Sequence, residues 1–403
     1  MKFWEKGRIR PRIKRVLLKA YNAFWEVLPF FKKKYLWLYC TMCSVKPKKV
    51  VFSNFFGKPY GDNPKYIAEE LLKRCPGWDL VWLLDDINSP LPQGIRPVRF
   101  GSDQAMKEMA SAKFLVVNIR NIRRPKKKKK QTLLQTWHGG MGFKAIESAV
   151  PSLDAHYIKR AKQDGKDSDA IISSCDLVSE IYREYFWLNK KTKILEIGLP
   201  RNDKLFDAKA IDQTAAMVRA SIGIDADVRI VLYMPTFRDD GSTDGYNLDY
   251  PAIIDAFEKR FEQKFVLIVR LHPNVKEQDV SLQSDKRITS ATHYPDAQEL
   301  YMVADYLITD YSSAAFDFAL LDRPVFLCAL DYEKYRSTRG LTKMFEECPF
   351  DRSFSSEELV EHICTFSLEE YDARMKEFSE YCRSFDRGDA AQRAVDWMLT
   401  KNT

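Results

Sequence analysis

The amino-acid sequence predicts an α/β protein of two Rossmann-like, doubly wound domains. Three observations carry that prediction. Apolar runs of four to seven residues recur along the chain, too short for helices and continuous enough for strands buried on both faces. Segments with helical spacing and charged outer faces separate them, which is the βαβ signature. The alternation also occurs twice, on either side of a polar helical stretch near residues 207–222.

The elements follow in order. Residues 1–48 interleave Trp4, Ile9, Ile13, Val16, Leu17, Phe24 and Leu28 with Lys6, Arg8, Arg12, Lys14, Arg15 and Lys19. This spacing suits a helix with one apolar and one cationic face, and such a helix lies in the headgroup plane of an anionic membrane. Residues 49–205 form the first domain, with strands at 51–56 (VVFSNF), 80–84, 114–119, 132–137 (TLLQTW), 170–174 and 193–198 (KILEIG). Helical spacing covers 63–75, 102–112 and 176–187. Residues 206–403 form the second domain, with strands at 229–234 (RIVLYM), 265–271 (FVLIVRL), 306–309 (YLIT) and 324–330, and a helical tail from about residue 355. The lysine run at 126–130 falls in a turn between two strands, so it reads as a solvated loop or a second headgroup contact rather than a nucleic-acid patch.

Composition narrows the function classes. Of 403 residues, 45% are hydrophobic and 13% aromatic, enough to build packed cores along most of the chain. The formal charge of +8 is concentrated in the first 49 residues. There is no run of 18 apolar residues and no signal-peptide pattern, so the expectation is a peripheral protein at the cytoplasmic face of the cell membrane. Eight scattered cysteines offer no paired metal-ligand spacing and read as reduced thiols. No metal and no cofactor is expected.

In open α/β sheets ligands bind beyond the carboxyl ends of the strands. Five polar clusters stand at such ends: His138-Gly139-Gly140, Leu199-Pro200-Arg201-Asn202-Asp203, Pro235-Thr236-Phe237-Arg238-Asp239-Asp240, His272-Pro273, and Asp310-Tyr311-Ser312-Ser313. His138 and His272 are two of five histidines, and a histidine at such a loop can hold or release a proton near neutral pH. Ser312 and Ser313 precede an apolar helix and read either as a cap or as a phosphate contact. The candidate catalytic residues are His138 and His272. The candidate substrate contacts are Gly139, Lys144, Arg201, Asn202, Asp203, Thr236, Arg238, Arg270, Thr309, Asp310, Ser312 and Ser313. G-x-G-x-x-G, Walker and Ser-His-Asp patterns are absent.

These clusters, in this order, resemble the CDP-glycerol glycerophosphotransferase family, which includes teichoic-acid primases and polymerases. The likeness runs from about Val50 to Leu399 and is carried by FSNFFGKPYGDNPKYIAEELL, QTWHGG, GLPRNDKL, YMPTFRDD, LHP and ITDYSSAAFDFALLDRPVFL. Gly140-Met141 replaces the Thr-Pro that often follows His-Gly, and Leu199 stands where Tyr is frequent. The resemblance implies a GT-B-like pair of domains, with CDP held by the second and the base supplied by the first. It implies His138 as general base, His272 at the pyrophosphate, Arg238 as a phosphate contact, Ser312 and Ser313 as phosphate-binding hydroxyls, and Arg201 and Asp203 as residues shaping the cleft. The implied partners are CDP-glycerol or a related CDP-polyol and a membrane-linked polymer acceptor. To these the composition adds an anionic membrane surface and no nucleic acid, and a homo-oligomer is compatible with them. The rival readings are a CDP-ribitol transferase, a nucleotide-sugar glycosyltransferase on the same fold, and a non-enzymatic membrane scaffold.

Overall fold

A computed structural model describes residues 32–402 apart from Pro59, Asn121, Pro151, Asp239, 273–274 and 276–284. The basic amphipathic segment expected over residues 1–48 lies mostly outside the described residues. Its described end is helix α1 (32–42), which tucks Leu36 and Cys40 against Ala110 and leaves Tyr35, Trp37, Leu38 and Met42 exposed.

The first half comprises β1 (Lys46–Ser53), α2 (Asp62–Arg74), β2 (Asp79–Leu84), β3 (Ile95–Arg99), α3 (Asp103–Ser111), β4 (Ala112–Val117), β5 (Thr132–Gln135), α4 (Ala155–Asp167), β6 (Ala170–Ser173), α5 (Asp176–Tyr185) and β7 (Lys193–Glu196). A 3₁₀ turn at Pro200–Phe206 leads into α6 (Ala208–Ile222). The second half comprises β8 (Arg229–Tyr233), α7 (Tyr250–Phe261), β9 (Phe265–Val269), β10 (Ile288–Ser290), α8 (Ala297–Val303), β11 (Tyr306–Thr309), α9 (Ala314–Ala319), β12 (Val325–Cys328), α10 (Tyr332–Arg339), α11 (Met344–Glu347) and β13 (Asp351–Ser353). Three helices close the chain: α12 (Ser356–Thr365), α13 (Leu368–Cys382) and α14 (Ala390–Thr400).

Every pairing within the two sheets is parallel. That is why the strand runs are apolar throughout: Val50, Val51 and Phe52 in β1, and Ile230, Val231 and Leu232 in β8, are buried on both faces. The strand orders are β3-β2-β1-β4-β5-β6-β7 and β10-β9-β8-β11-β12-β13. Each order reverses direction once, at β1/β4 in the first sheet and at β8/β11 in the second, and each reversal opens a crevice at the strands' carboxyl ends. The ten predicted strands all form. β3, β10 and β13 were not anticipated: IRPVR has a proline and two arginines, and ITS and DRS are three residues long, so none shows an apolar run.

The tail departs from its expected place. α12 and α13 pack on the second half, but α14 crosses back to the first, where Ala394, Val395 and Met398 join Ile67 and Leu71 in its core. The apolar face of α14 is complementary to α2, and Arg74 pairs with Asp396 at 2.6 Å on the rim. Two carboxylates hold the return. Asp203 accepts from the N–H groups of Ala390 and Ala391 at 2.9 and 2.8 Å, capping α14, and Asp386 Oδ1 accepts from Leu199 N at 2.7 Å.

The lysine run is less solvated than its composition suggested. Lys127 pairs with Asp169 at 2.6 Å, and Lys128 Nζ lies 3.1 Å from Cys43 Sγ, so only Lys126, Lys129 and Lys130 of the five are exposed. Arg124 just upstream pairs with Asp164 and Asp167.

Burial raises the Asp386 carboxyl to about 7 and the Asp203 carboxyl to about 6. The folded chain therefore binds more protons at these groups than the unfolded chain does above its ordinary carboxyl value. Their stabilising contribution is complete below about pH 4 and is lost as pH rises toward 7. Asp386→Asn should flatten the stability decline between these pH values in urea unfolding. An unaltered slope would place Asp386 in a wetter environment than the fold indicates.

Candidate active site

The reversal of the first sheet gathers one polar cluster. Asn54 follows β1, Asn118 follows β4, and His138 follows β5 by three residues. The Asn118 amide donates to Asn54 Oδ1 and to Asp62 Oδ2, both at 2.7 Å. Its main-chain carbonyl lies 2.8 Å from His138 Nδ1. A carbonyl can only accept, so this contact places the ring proton on Nδ1 and leaves the lone pair on Nε2. The imidazole is flanked by Trp137 and Phe55, with ring centroids 4.2 and 5.2 Å away. Burial in this setting holds His138 below the ordinary imidazole value, with Arg201 and Lys144 adding to the shift and Asp62 opposing it. His138 is therefore a neutral, singly oriented proton acceptor at pH 7.

Backbone strain marks the same place. Phe55, Phe56, Asp62 and Trp137 all have positive φ, between 37° and 59°, a region that costs a non-glycine residue about 1–2 kcal/mol. Hydrogen bonds from Phe55 N to Asn118 Oδ1 at 3.0 Å and from Asn63 Nδ2 to the Trp137 carbonyl at 3.1 Å hold two of them.

From His138 the loop runs into the second half. Phe143 is fully buried against Phe316 and Phe345, Thr342 N donates to the Phe143 carbonyl at 2.7 Å, and Lys144 bridges to Leu341. Space is tight at Gly140, where a β-carbon would stand 2.9 Å from Ser174 Oγ and 3.1 Å from Leu199, so those side chains would have to shift. Gly139 has no such neighbour within 3.8 Å. The two positions where the sequence departs from the commoner family pattern, Gly140 and Leu199, thus face each other.

The second sheet presents a cavity of about 310 Å³ at its β8/β11 reversal. Lys144, Arg270, His272 and Arg339 line it together with Thr236, Phe237 and Ser312, and none of the described lining residues is a carboxylate. Burial is the main reason His272 lies below its ordinary value, helped by Lys144, Arg270 and Lys58. Ser312 Oγ accepts from Ala314 N at 3.2 Å, so it caps the turn while facing the cavity. Ser313 meets the His138 loop, where a β-carbon added at Gly139 or Gly142 would stand 4.0 or 3.8 Å from its side chain. A larger cavity of about 780 Å³ on the other side of that loop is lined by Asp317, Asp322, Asp372, Glu380 and Asp386 against one lysine. By the charges of their described linings, the smaller cavity suits an anion better than the larger does.

Several anticipated substrate contacts have other work. Arg238 is not among the described residues that line the cavity. It is buried, paired with Asp331 at 2.7 Å and Asp310 at 2.8 Å, and surrounded by the Tyr246, Tyr311 and Tyr335 rings. Asp310 is likewise enclosed and accepts from the Thr236 and Tyr311 N–H groups, and Thr309 donates to the Met234 carbonyl. These three hold the cavity wall from behind. Asp203 caps α14, and Arg201 and Asn202 are buried outside the cavity. Thr236, Arg270, His272, Ser312 and Lys144 are brought together as predicted.

Asn54, Phe55, Asp62, Asn118, Asp317, Asp331 and Arg339 were missed. Only Asn54, Phe55 and Asn118 had a usable signal, since they follow β1 and β4. Recognising it required the strand order.

Two doubly wound domains whose ligand-side loops share one cleft, a proton acceptor on one and a cationic cavity on the other, define a GT-B-like transferase architecture. Residues 36–400 match the family described as CDP-Glycerol:Poly(glycerophosphate) glycerophosphotransferase, and the chain belongs to that family. It is 30% identical over 363 residues to the teichoic acid poly(glycerol phosphate) polymerase of Staphylococcus epidermidis, covering 87% of this chain and 50% of that one. The polymerase of the same description from Bacillus spizizenii is 28% identical over 408 residues, covering 98% of this chain and 100% of that one. The chain thus spans about half the length of the first relative and all of the second. Among solved structures, the wall teichoic acid polymerase TagF soaked with CDPG superposes with a TM-score of 0.81 at 27% identity, over 96% of this chain and 97% of that one.

The burial of Arg238 yields a direct check. Arg238→Ala strands Asp310 and Asp331 without a counter-ion and should lower unfolding free energy by about 3–5 kcal/mol in urea titration. A phosphate contact on an open surface would give near-normal stability and a selective loss of donor affinity instead.

Proposed function

We propose that the chain transfers glycerol phosphate from CDP-glycerol to a terminal hydroxyl of a membrane-linked, teichoic-acid-type acceptor and releases CMP. The observation that carries this reading is the pairing of a neutral, oriented His138 with a cavity whose described lining includes Lys144, Arg270, His272 and Arg339. Family membership and the CDPG-soaked TagF relative point the same way.

The chemistry balances across the cleft. The acceptor hydroxyl attacks the β-phosphorus that bears glycerol, forming a new P–O bond as its proton passes to His138 Nε2. The bond from that phosphorus to the bridging oxygen breaks, and the oxygen leaves on CMP. Phosphoryl transfer depends mainly on positioning and charge neutralisation. Lys144 lines the donor cavity and lies close enough to lower the proton affinity of both histidines.

The same reading places the chain on the cytoplasmic face of the membrane. α1 exposes Tyr35, Trp37, Leu38 and Met42, and the loop carrying Lys126, Lys129 and Lys130 is tied to its end by Lys128 at Cys43. Aromatic rings beside lysines suit an anionic interface. A full-length chain carrying Trp37→Ser with Lys129→Glu and Lys130→Glu should bind phosphatidylglycerol vesicles several-fold more weakly than the parent in sedimentation, with the difference shrinking at high salt. Equal binding at low salt would remove this surface from the membrane contact.

The reaction is tested by CMP release from CDP-glycerol with a soluble acceptor. His138→Ala should lower turnover about 10²- to 10⁴-fold and leave donor affinity nearly intact. His272→Ala should weaken both. UDP release from a UDP-sugar, without CMP release from any CDP-polyol, would instead favour a glycosyltransferase.

A further inference from the structure

The interdomain turn at Pro200–Phe206 reaches the base from behind. Arg201 is buried, and its guanidinium makes three charged or polar contacts that belong to different parts of the fold. Nη1 donates to the His138 main-chain carbonyl at 2.7 Å and to Asp62 Oδ1 at 2.9 Å, both in the first half. Nη2 donates to Asp317 Oδ2 at 2.6 Å, on α9 of the second half. Asn202 Nδ2 adds a bond to the other Asp317 oxygen at 3.1 Å. Asp62 in turn receives the Asn118 amide, and the Asn118 carbonyl orients the imidazole. An unbroken polar chain therefore runs from a carboxylate of the half that carries the cationic cavity to the ring of His138 in the other half. α9 starts directly after Ser312 and Ser313, so its docking ties the cavity wall to the base.

We infer that Asp317 is a positioning residue for His138, acting through Arg201 across the two halves. This rests on the proposed role of His138 as base. The contact is bidentate in effect: one guanidinium must reach two carboxylates and a carbonyl at once, which a lysine cannot do. Asp317→Asn keeps the side chain's shape but removes its charge, so Arg201 Nη2 loses its ion pair and the guanidinium is drawn toward Asp62. The His138 carbonyl then loses a fixed donor, and the Nδ1 contact with Asn118 loosens.

The test is a double-mutant cycle with His138→Ala, read by single-turnover CMP release and by donor affinity from calorimetry. In the parent background Asp317→Asn should reduce turnover by roughly tenfold or more while donor affinity stays within about twofold. In the His138→Ala background it should change turnover less than about twofold, because the group it positions is gone. Nitrogen-15 histidine spectra supply a readout that needs no turnover. The parent should show His138 protonated on Nδ1, assigned by loss of the signal in His138→Ala, and Asp317→Asn should show a mixture of tautomers. If the parent releases no CMP, the proposed reaction fails and the spectra still decide the positioning role.

Full additivity in the cycle, loss of donor affinity in proportion to turnover, or an unchanged Nδ1 tautomer overturns the inference. If thermal melting shows Asp317→Asn unfolded at assay temperature, Arg201→Lys, which keeps the charge and loses the bridge, is carried through the same cycle and spectra with the same expected outcomes.

Discussion

Arg201 is a full positive charge removed from water, and the arrangement of both halves answers to that fact. A buried guanidinium is tolerable only where carboxylates and carbonyls meet it, because desolvation costs several kcal/mol per ion. Asp62 on one side and Asp317 on the other supply that compensation, and their charge holds Arg201 above its ordinary value despite burial. One residue of a short turn thereby sets the spacing between two sheets that share no strand. Asn63 and Asp386 grip the same turn from α2 and from the tail, accepting from Arg201 N at 3.2 Å and Leu199 N at 2.7 Å.

Apolar packing supports the same junction. The His138 loop does not end at the base but continues into the core of the second half, where Phe143 sits among aromatic rings. α14 makes the reciprocal exchange, leaving the second half to bury its face on α2. Each half thus contributes a segment to the other, which limits how far the cleft can open without exposing apolar surface.

Charge is sorted between the faces of the interdomain loop. Cations converge on the cavity at the β8/β11 reversal, whereas carboxylates line the larger space behind it. The arginine and aspartates next to the smaller cavity are spent on each other, which fixes the wall. The described cations that face the site are Lys144, Arg270 and Arg339, and not the charged residues most prominent in the motif.

Sequence alone determined the fold class, because parallel strands buried on both faces must read as apolar runs and the helices between them as amphipathic. It also determined which loops matter, since polar clusters at strand ends have no reason to recur unless a ligand binds there. His138, His272, Thr236 and Ser312 were legible for that reason. The short edge strands were not, because neither three residues nor IRPVR carry an apolar pattern. Only the tertiary structure decided which charged motif residues face substrate and which face each other. Arg238 and Asp310 stand in two separate strand-end clusters, yet they pair with each other and Arg238 also takes Asp331, and a buried pair depends on distances that linear spacing does not encode. The same holds for Asp317, which reads as one polar residue in an apolar helix and finds Arg201 only once the two halves are docked.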